Sequence, residues 1–151
     1  MLENCQSAKE RWGGVSDIID RWLQERQELL VRYCGLSDTP AASDAAEQLQ
    51  RVCQILVDYV SAGHFEIYDQ LVKEGHEFED QSALDEAQKL IGNIDETTEF
   101  ALDFNDKYLE TDDLTTLTAD LSKLGEILAI RFEAEDRMIE VLHIAHKDLV
   151  A

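Results

Sequence analysis

The sequence predicts an all-α protein, an up-down antiparallel four-helix bundle with a short N-terminal helical extension. Three observations carry that prediction. One proline and seven glycines in 151 residues leave long stretches without a break. Within those stretches apolar residues recur at the i, i+3, i+4, i+7 spacing of a single helix face. The intervening connections are short, so consecutive helices are expected to lie side by side in opposite directions.

The elements follow in chain order. A short segment up to Trp12 meets Gly13-Gly14, a break or a kink, after which Val15, Ile18, Ile19, Trp22, Leu29, Leu30 and Tyr33 mark the core face of a first helix ended by Gly35. Thr39-Pro40 reads as an N-cap with proline at the first helical position. It opens a second helix whose stripe is Leu49, Val52, Cys53, Leu56, Val60, Ile67 and Leu71, with Gly75 just past its end. Ser82-Ala-Leu-Asp85, a variant capping box, opens a third, with Leu84, Ala87, Ile91, Ile94, Ala101 and Tyr108 on one side. Thr111-Asp-Asp caps a fourth, along which Leu114, Leu117, Leu121, Leu124, Leu128, Arg131, Glu135, Met138, Leu142, Ala145 and Leu149 form a 3-4-3-4 seam.

Composition narrows the function. A chain of 151 residues is the size of one domain, taken here as 1–151, and long enough to bury a core. Thirteen Lys+Arg against 33 Asp+Glu give a net charge of −20, which repels nucleic-acid phosphates and anionic membranes, so direct binding to either is not expected. With 44% apolar residues in periodic segments, this is not an acidic disordered tail. Cys5, Cys34 and Cys53 lack C-x-x-C spacing and are odd in number, which fits neither a disulfide framework nor a zinc ribbon. No signal-like start and no run near the ~18 apolar residues of a membrane span occur, so a cytoplasmic protein is expected. Residues 74–120 hold 15 acids against Lys89 and Lys107, making the third helix an acidic flank whose simplest role is a solvated face.

Four residues break the apolar pattern. Arg131 and Glu135 interrupt the fourth helix's seam, Arg26 sits between Trp22 and Leu29, and His64 sits between Val60 and Ile67. Groups at core positions must pair with one another, line a cavity or meet a partner, because uncompensated burial costs about several kcal/mol each. A polar layer that fixes helix register and a cavity for a small ligand or metal both follow from this pattern. The metal ligand set is incomplete: only Glu140-Val-Leu-His143 matches the Glu-x-x-His of a di-iron bundle, and His76 falls in a predicted loop. His143 and His146 are assigned to the helix dipole or to solvent. No phosphate loop, nucleophile elbow or Cys-His arrangement is present, and Cys53 reads as inert core, so neither enzyme activity nor a cofactor is expected.

At 100° per residue, Asp58, Ser61, Ala62 and Phe65 lie opposite the core stripe of the second helix, with Tyr68 to one side. An aromatic above small residues and a lone acid fits a docking strip for a partner, or a face covered by another segment such as the N-terminal one.

The stretch Leu56-Val-Asp-Tyr-Val-Ser-Ala-Gly-His-Phe-Glu-Ile-Tyr68, with Asp20-Arg-Trp-Leu-Gln-Glu-Arg26 before it and Arg131-Phe-Glu-Ala-Glu-Asp136 after it, resembles the Rsd/AlgQ family of anti-sigma factors, nearest its AlgQ branch. The resemblance runs over nearly the whole chain and is weakest after Gly35 and in the third helix. It implies a helical transcription regulator that binds the C-terminal domain of the primary sigma factor and holds it from core polymerase and from the −35 element. A monomer in an equimolar complex is expected, with Asp58, Ser61, Ala62, Phe65, Tyr68 and Arg26 as the partner-binding set. The acidic surface is compatible, since a DNA-reading domain is basic. The alternative is a metal- or small-ligand-binding bundle using Arg26, His64, Arg131 and Glu135.

Overall fold

The computed structural model describes residues 8–39, 43–110 and 113–150. Cys5, Pro40 and the Thr111-Asp112 part of the predicted cap lie outside the described residues. Among those described, the elements are α1 (Ala8–Asp38), α2 (Ala45–Ala62), a π turn (Gly63–Ile67), α3 (Tyr68–Glu77), α4 (Gln81–Glu110), α5 (Leu117–Leu142) and a closing 3-10 turn (Ile144–Leu149). Since α2, the π turn and α3 follow without interruption, the architecture is a four-helix bundle. Neighbours run antiparallel. Arg11 of α1 meets Glu77 of α3 while Gly35 lies beside Gln48 of α2; Lys107 and Glu86 of α4 pair with Asp120 and Arg137 of α5, each at 2.7 Å. Tyr33 donates to the Leu121 carbonyl at 2.6 Å and Trp12 to that of His143 at 2.9 Å, which sets α1 against α5. The buried apolar residues form one cluster running the length of the bundle.

Several predicted boundaries move, each for a local reason. The glycine pair neither breaks nor ends a segment: α1 is continuous from Ala8, so the described part of the N-terminal extension, residues 8–12, is its first turn and not a separate helix. Gly35 does not stop α1 either, because the fully buried Leu36 keeps the next turn on the core. Thr39 closes that helix instead of capping the next, its Oγ1 donating to the Gly35 carbonyl at 2.8 Å. The second helix begins at Ala45 and runs past Gly75, a residue enclosed by Leu84 and Leu142, to Glu77, which places His76 on helix and not in a loop. The third helix starts at Gln81, where Asp80 Oδ1 accepts the Ala83 amide at 3.1 Å, so Asp80 and not Ser82 is the cap. The fourth starts at Leu117, and its seam ends at Leu142; Ala145 and Leu149 are exposed because the chain leaves α-helical geometry there.

The α3–α4 connection is a Schellman turn: Asp80 N donates to the Gly75 carbonyl at 3.0 Å and Glu79 N to that of His76 at 3.1 Å. Its left-handed position is held by Glu79, with φ of 54°, where glycine is normally favoured. Because an L-residue in that region costs about 1–2 kcal/mol and glycine forfeits part of this through its freer unfolded state, Glu79→Gly is expected to raise stability by about 0.5–1 kcal/mol. Denaturant unfolding measures this, and a destabilised variant would show that the Glu79 side chain holds the turn.

Candidate functional site

The centre of the bundle is polar. Glu135 of α5, 1% exposed, accepts from Tyr59 Oη at 2.6 Å and Arg26 at 3.4 Å on one oxygen, and from Tyr68 Oη on the other. Arg131, one turn earlier and wholly buried, holds its Nε 3.3 Å from the Tyr68-bound oxygen. Its terminal nitrogens donate to Thr98 Oγ1 at 2.7 Å, Thr97 Oγ1 at 3.1 Å and Tyr68 Oη at 3.1 Å. Arg26 closes the layer from α1, donating to Tyr59 Oη at 3.0 Å and to Asp136 at 2.5 Å, with its guanidinium 4.6 Å from the Phe132 ring centre. His64 stands at the edge, its Nε2 3.0 Å from the Thr98 hydroxyl that Arg131 also holds. Burial and the Arg131 charge both push the His64 imidazole below its ordinary value. Around Glu135 burial pushes the carboxyl up, while Arg131, the tyrosine hydroxyls and Arg26 pull it back towards the charged form.

All of the helices contribute to this layer, and the π turn is what lets α2 and α3 contribute together. Tyr59 and Tyr68 are nine residues apart, which on a regular α-helix would point them about 180° from one another. Through the wider turn at 63–67 each residue advances by less, so both phenols reach the same carboxylate. Gly63 permits the approach: a Cβ there would lie 2.9 Å from Tyr68 Oη and 3.2 Å from the Trp22 ring.

That phase shift divides the strip predicted at 100° per residue. Asp58 is exposed and Phe65 is 86% exposed, with Ser61 and Ala62 half-buried between them. No described residue covers Phe65. Tyr68, by contrast, is turned inward and buried, and Arg26 is mostly buried too, its side chain 12% exposed, so neither shares the outer face with Phe65. Tyr59, Thr97 and Thr98 are layer members missed in the sequence. The first two carried a signal, since Tyr59 follows Leu56 by three and Thr97 lies between Ile94 and Ala101 on their stripes.

A second polar cluster closes one end of the bundle. His143 Nδ1 lies 2.9 Å from both oxygens of the buried Glu74, and its ring stacks on Trp12 at 4.1 Å. His146 bridges Asp80 and the Leu142 carbonyl, each at 2.9 Å. Both histidines are 3% exposed, so neither faces solvent; of the two expected roles, His146 takes that at the helix end, on the last carbonyl of α5, while His143 is turned onto Glu74 of α3. Burial pushes the Glu74 carboxyl up, against the pull of His143. Cys53 is buried, its thiol pushed up to about 11 by desolvation. Among the described residues, no group of three His, Cys, Asp or Glu is placed to hold a metal ion, and no helix is long and apolar enough to cross a membrane.

Comparison with known proteins gives one consistent result. The family model described as "Regulator of RNA polymerase sigma(70) subunit, Rsd/AlgQ" matches residues 1–143. A "Regulator of sigma D" from Yersinia pseudotuberculosis serotype O:1b is 34% identical over 149 residues, covering 93% of this chain and 88% of that protein. Its namesake from Salmonella paratyphi B is 34% identical over 157 aligned residues, covering 98% and 95%. No solved structure matches.

Removing the carboxylate of Glu135 leaves two arginines without their shared counter-charge. Glu135→Ala is therefore expected to cost about 3–5 kcal/mol. Equilibrium unfolding reads this directly, and a loss below about 0.5 kcal/mol, the scale of an ordinary surface change, would show that the pair does not hold the core.

Proposed function

Since the chain belongs to the Rsd/AlgQ family of regulators of the RNA polymerase sigma(70) subunit, we propose that it is an anti-sigma factor that binds the C-terminal domain of the primary sigma factor. Occupying the domain that reads the −35 element withholds sigma from core polymerase and promoter, and shifts polymerase towards alternative sigma factors. The protein acts in the cytoplasm as a stoichiometric binder, one monomer per sigma, with no chemistry or cofactor of its own.

The observation that carries this reading is the outer side of α2 at its π turn. A carboxylate, Asp58, stands free on the surface, small Ser61 and Ala62 let a partner backbone approach, and Phe65 offers an apolar ring. The charge around it favours a basic partner. Glu25 of α1 has its carboxyl raised, first by partial burial and then by Asp58, Glu28 and Glu66, so carboxylates crowd this face and a cationic domain relieves them. Arg26 and Tyr68 serve the face from beneath: Tyr68 ties the end of the π turn to Glu135, and Arg26 ties α1 to α5.

Because Asp58 is exposed in the free protein, Asp58→Ala is expected to change folding stability by no more than about 0.5 kcal/mol. Loss of a desolvated charge pair should nonetheless weaken binding to the isolated sigma domain by about 2 kcal/mol or more. Calorimetric titration and thermal unfolding of the same variant decide this; undiminished affinity would make Asp58 a plain surface acid. The long-range field of a −20 chain gives a second expectation. Association with the sigma domain should slow by about tenfold or more between low and physiological salt, with a smaller change in dissociation. Stopped-flow rates that do not vary with salt would mean that apolar contact governs the encounter.

A further inference from the structure

Asp58 stands at the rim of a furrow between α2 and α4. The furrow encloses about 410 Å³. Buried Cys53 and Tyr108 line it together with half-buried Val57 and with Leu109, which is 69% exposed, and Asp58 and Asn105 share its rim. From the level of Cys53 and Tyr108 the two antiparallel helices run to the His64–Thr98 contact, and Leu102, 43% exposed, stands on α4 between those levels. Leu102, Asn105 and Leu109 are spaced i, i+3, i+7 and so occupy one edge of α4.

Outside the leucines, at the next angular positions of α4, stand Glu99, Asp103, Asp106 and Glu110, all exposed and with no ion pair among the described residues. A furrow with Val57 and Leu109 beside Gln50 and Gln54, bordered by Asp58 on one side and an unpaired acidic ridge on the other, has the complement of a basic amphipathic helix: aliphatic side chains inward, polar groups and bases towards the rims. This gives the acidic flank a use that a merely solvated face would not need. Two leucines exposed two turns apart on a highly charged helix are otherwise a cost in solubility.

We propose that the furrow between α2 and α4 is the docking groove for a basic helix of the sigma domain, which lays aliphatic side chains on Val57, Leu102 and Leu109 and pairs its bases with Asp58 and Asp106. The inference rests on the anti-sigma reading and adds to it which neighbour of α2 completes the face. Docking on the α1 side of α2 is the competing geometry, and there Val31, 60% exposed beside Arg32 and Arg51, is the equivalent apolar group.

Glutamine substitutions separate the two without altering the charge field. The double variant Leu102→Gln, Leu109→Gln and the variant Val31→Gln are titrated with the isolated sigma C-terminal domain beside wild type and Asp58→Ala, with thermal unfolding of each as a check on folding. The groove predicts at least a tenfold loss of affinity for the double variant, unchanged unfolding temperature, and wild-type affinity for Val31→Gln. Undiminished binding by the double variant, with Asp58→Ala still impaired, overturns the groove and leaves the anti-sigma reading standing. Failure of wild type to bind the sigma domain overturns both.

Discussion

The structure depends on one buried carboxylate. Glu135 sits at the middle of the bundle, where α1 sends Arg26, α2 sends Tyr59, α3 sends Tyr68 and α5 itself sends Arg131, which in turn reaches Thr97 and Thr98 of α4. A charge so deeply desolvated is tolerable only when almost every lone pair is met. Each helix is thereby held at a specific rotation and height, since sliding any of them by one residue would leave a donor or an acceptor unmatched. Apolar packing alone would be more forgiving, because Leu and Ile side chains accept small shifts that hydrogen bonds do not.

The π turn is the backbone's answer to that requirement. A regular helix could bring either Tyr59 or Tyr68 to Glu135, but not both, and Gly63 at the first position of the π turn gives the Tyr68 and Trp22 rings the room they need. The same change of phase has an outer consequence. Turning Tyr68 inward leaves Phe65 on the surface above the widened turn, next to the face that bears Asp58. Interior satisfaction and exterior display are therefore coupled through five residues of backbone.

Charge is divided with equal consistency. Arg26 and Arg131 are engaged in the central layer, and Arg11, Lys107 and Arg137 pair with Glu77, Asp120 and Glu86 across helix pairs. The acids outnumber them, and the surplus accumulates on α4 and on the α1 side of Asp58. Self-repulsion of this kind works against the compact state, and a cationic partner of the proposed kind would remove part of it on binding. A bundle stabilised by its interior polar layer can carry such a surface.

The sequence by itself determined the helical class, the number of helices in the bundle, nearly all of the apolar stripes, and the presence of Arg131 and Glu135 on a core-facing seam. Those features depend on periodicity, which is local and survives any tertiary arrangement. Helix ends were less legible: Gly35 and Gly75 lie inside helices because Leu36 and the enclosing Leu84 and Leu142 reward continuation, a reward that appears only when other helices are in place. The rotation of Tyr68 away from the surface, the stacking of Trp12 on His143 and the return of His146 to Asp80 were decided by tertiary structure alone. Each pairs residues far apart in the chain. In the case of Tyr68, a uniform 100° per residue could not reveal that the helix would widen by one turn to satisfy a carboxylate 67 positions downstream.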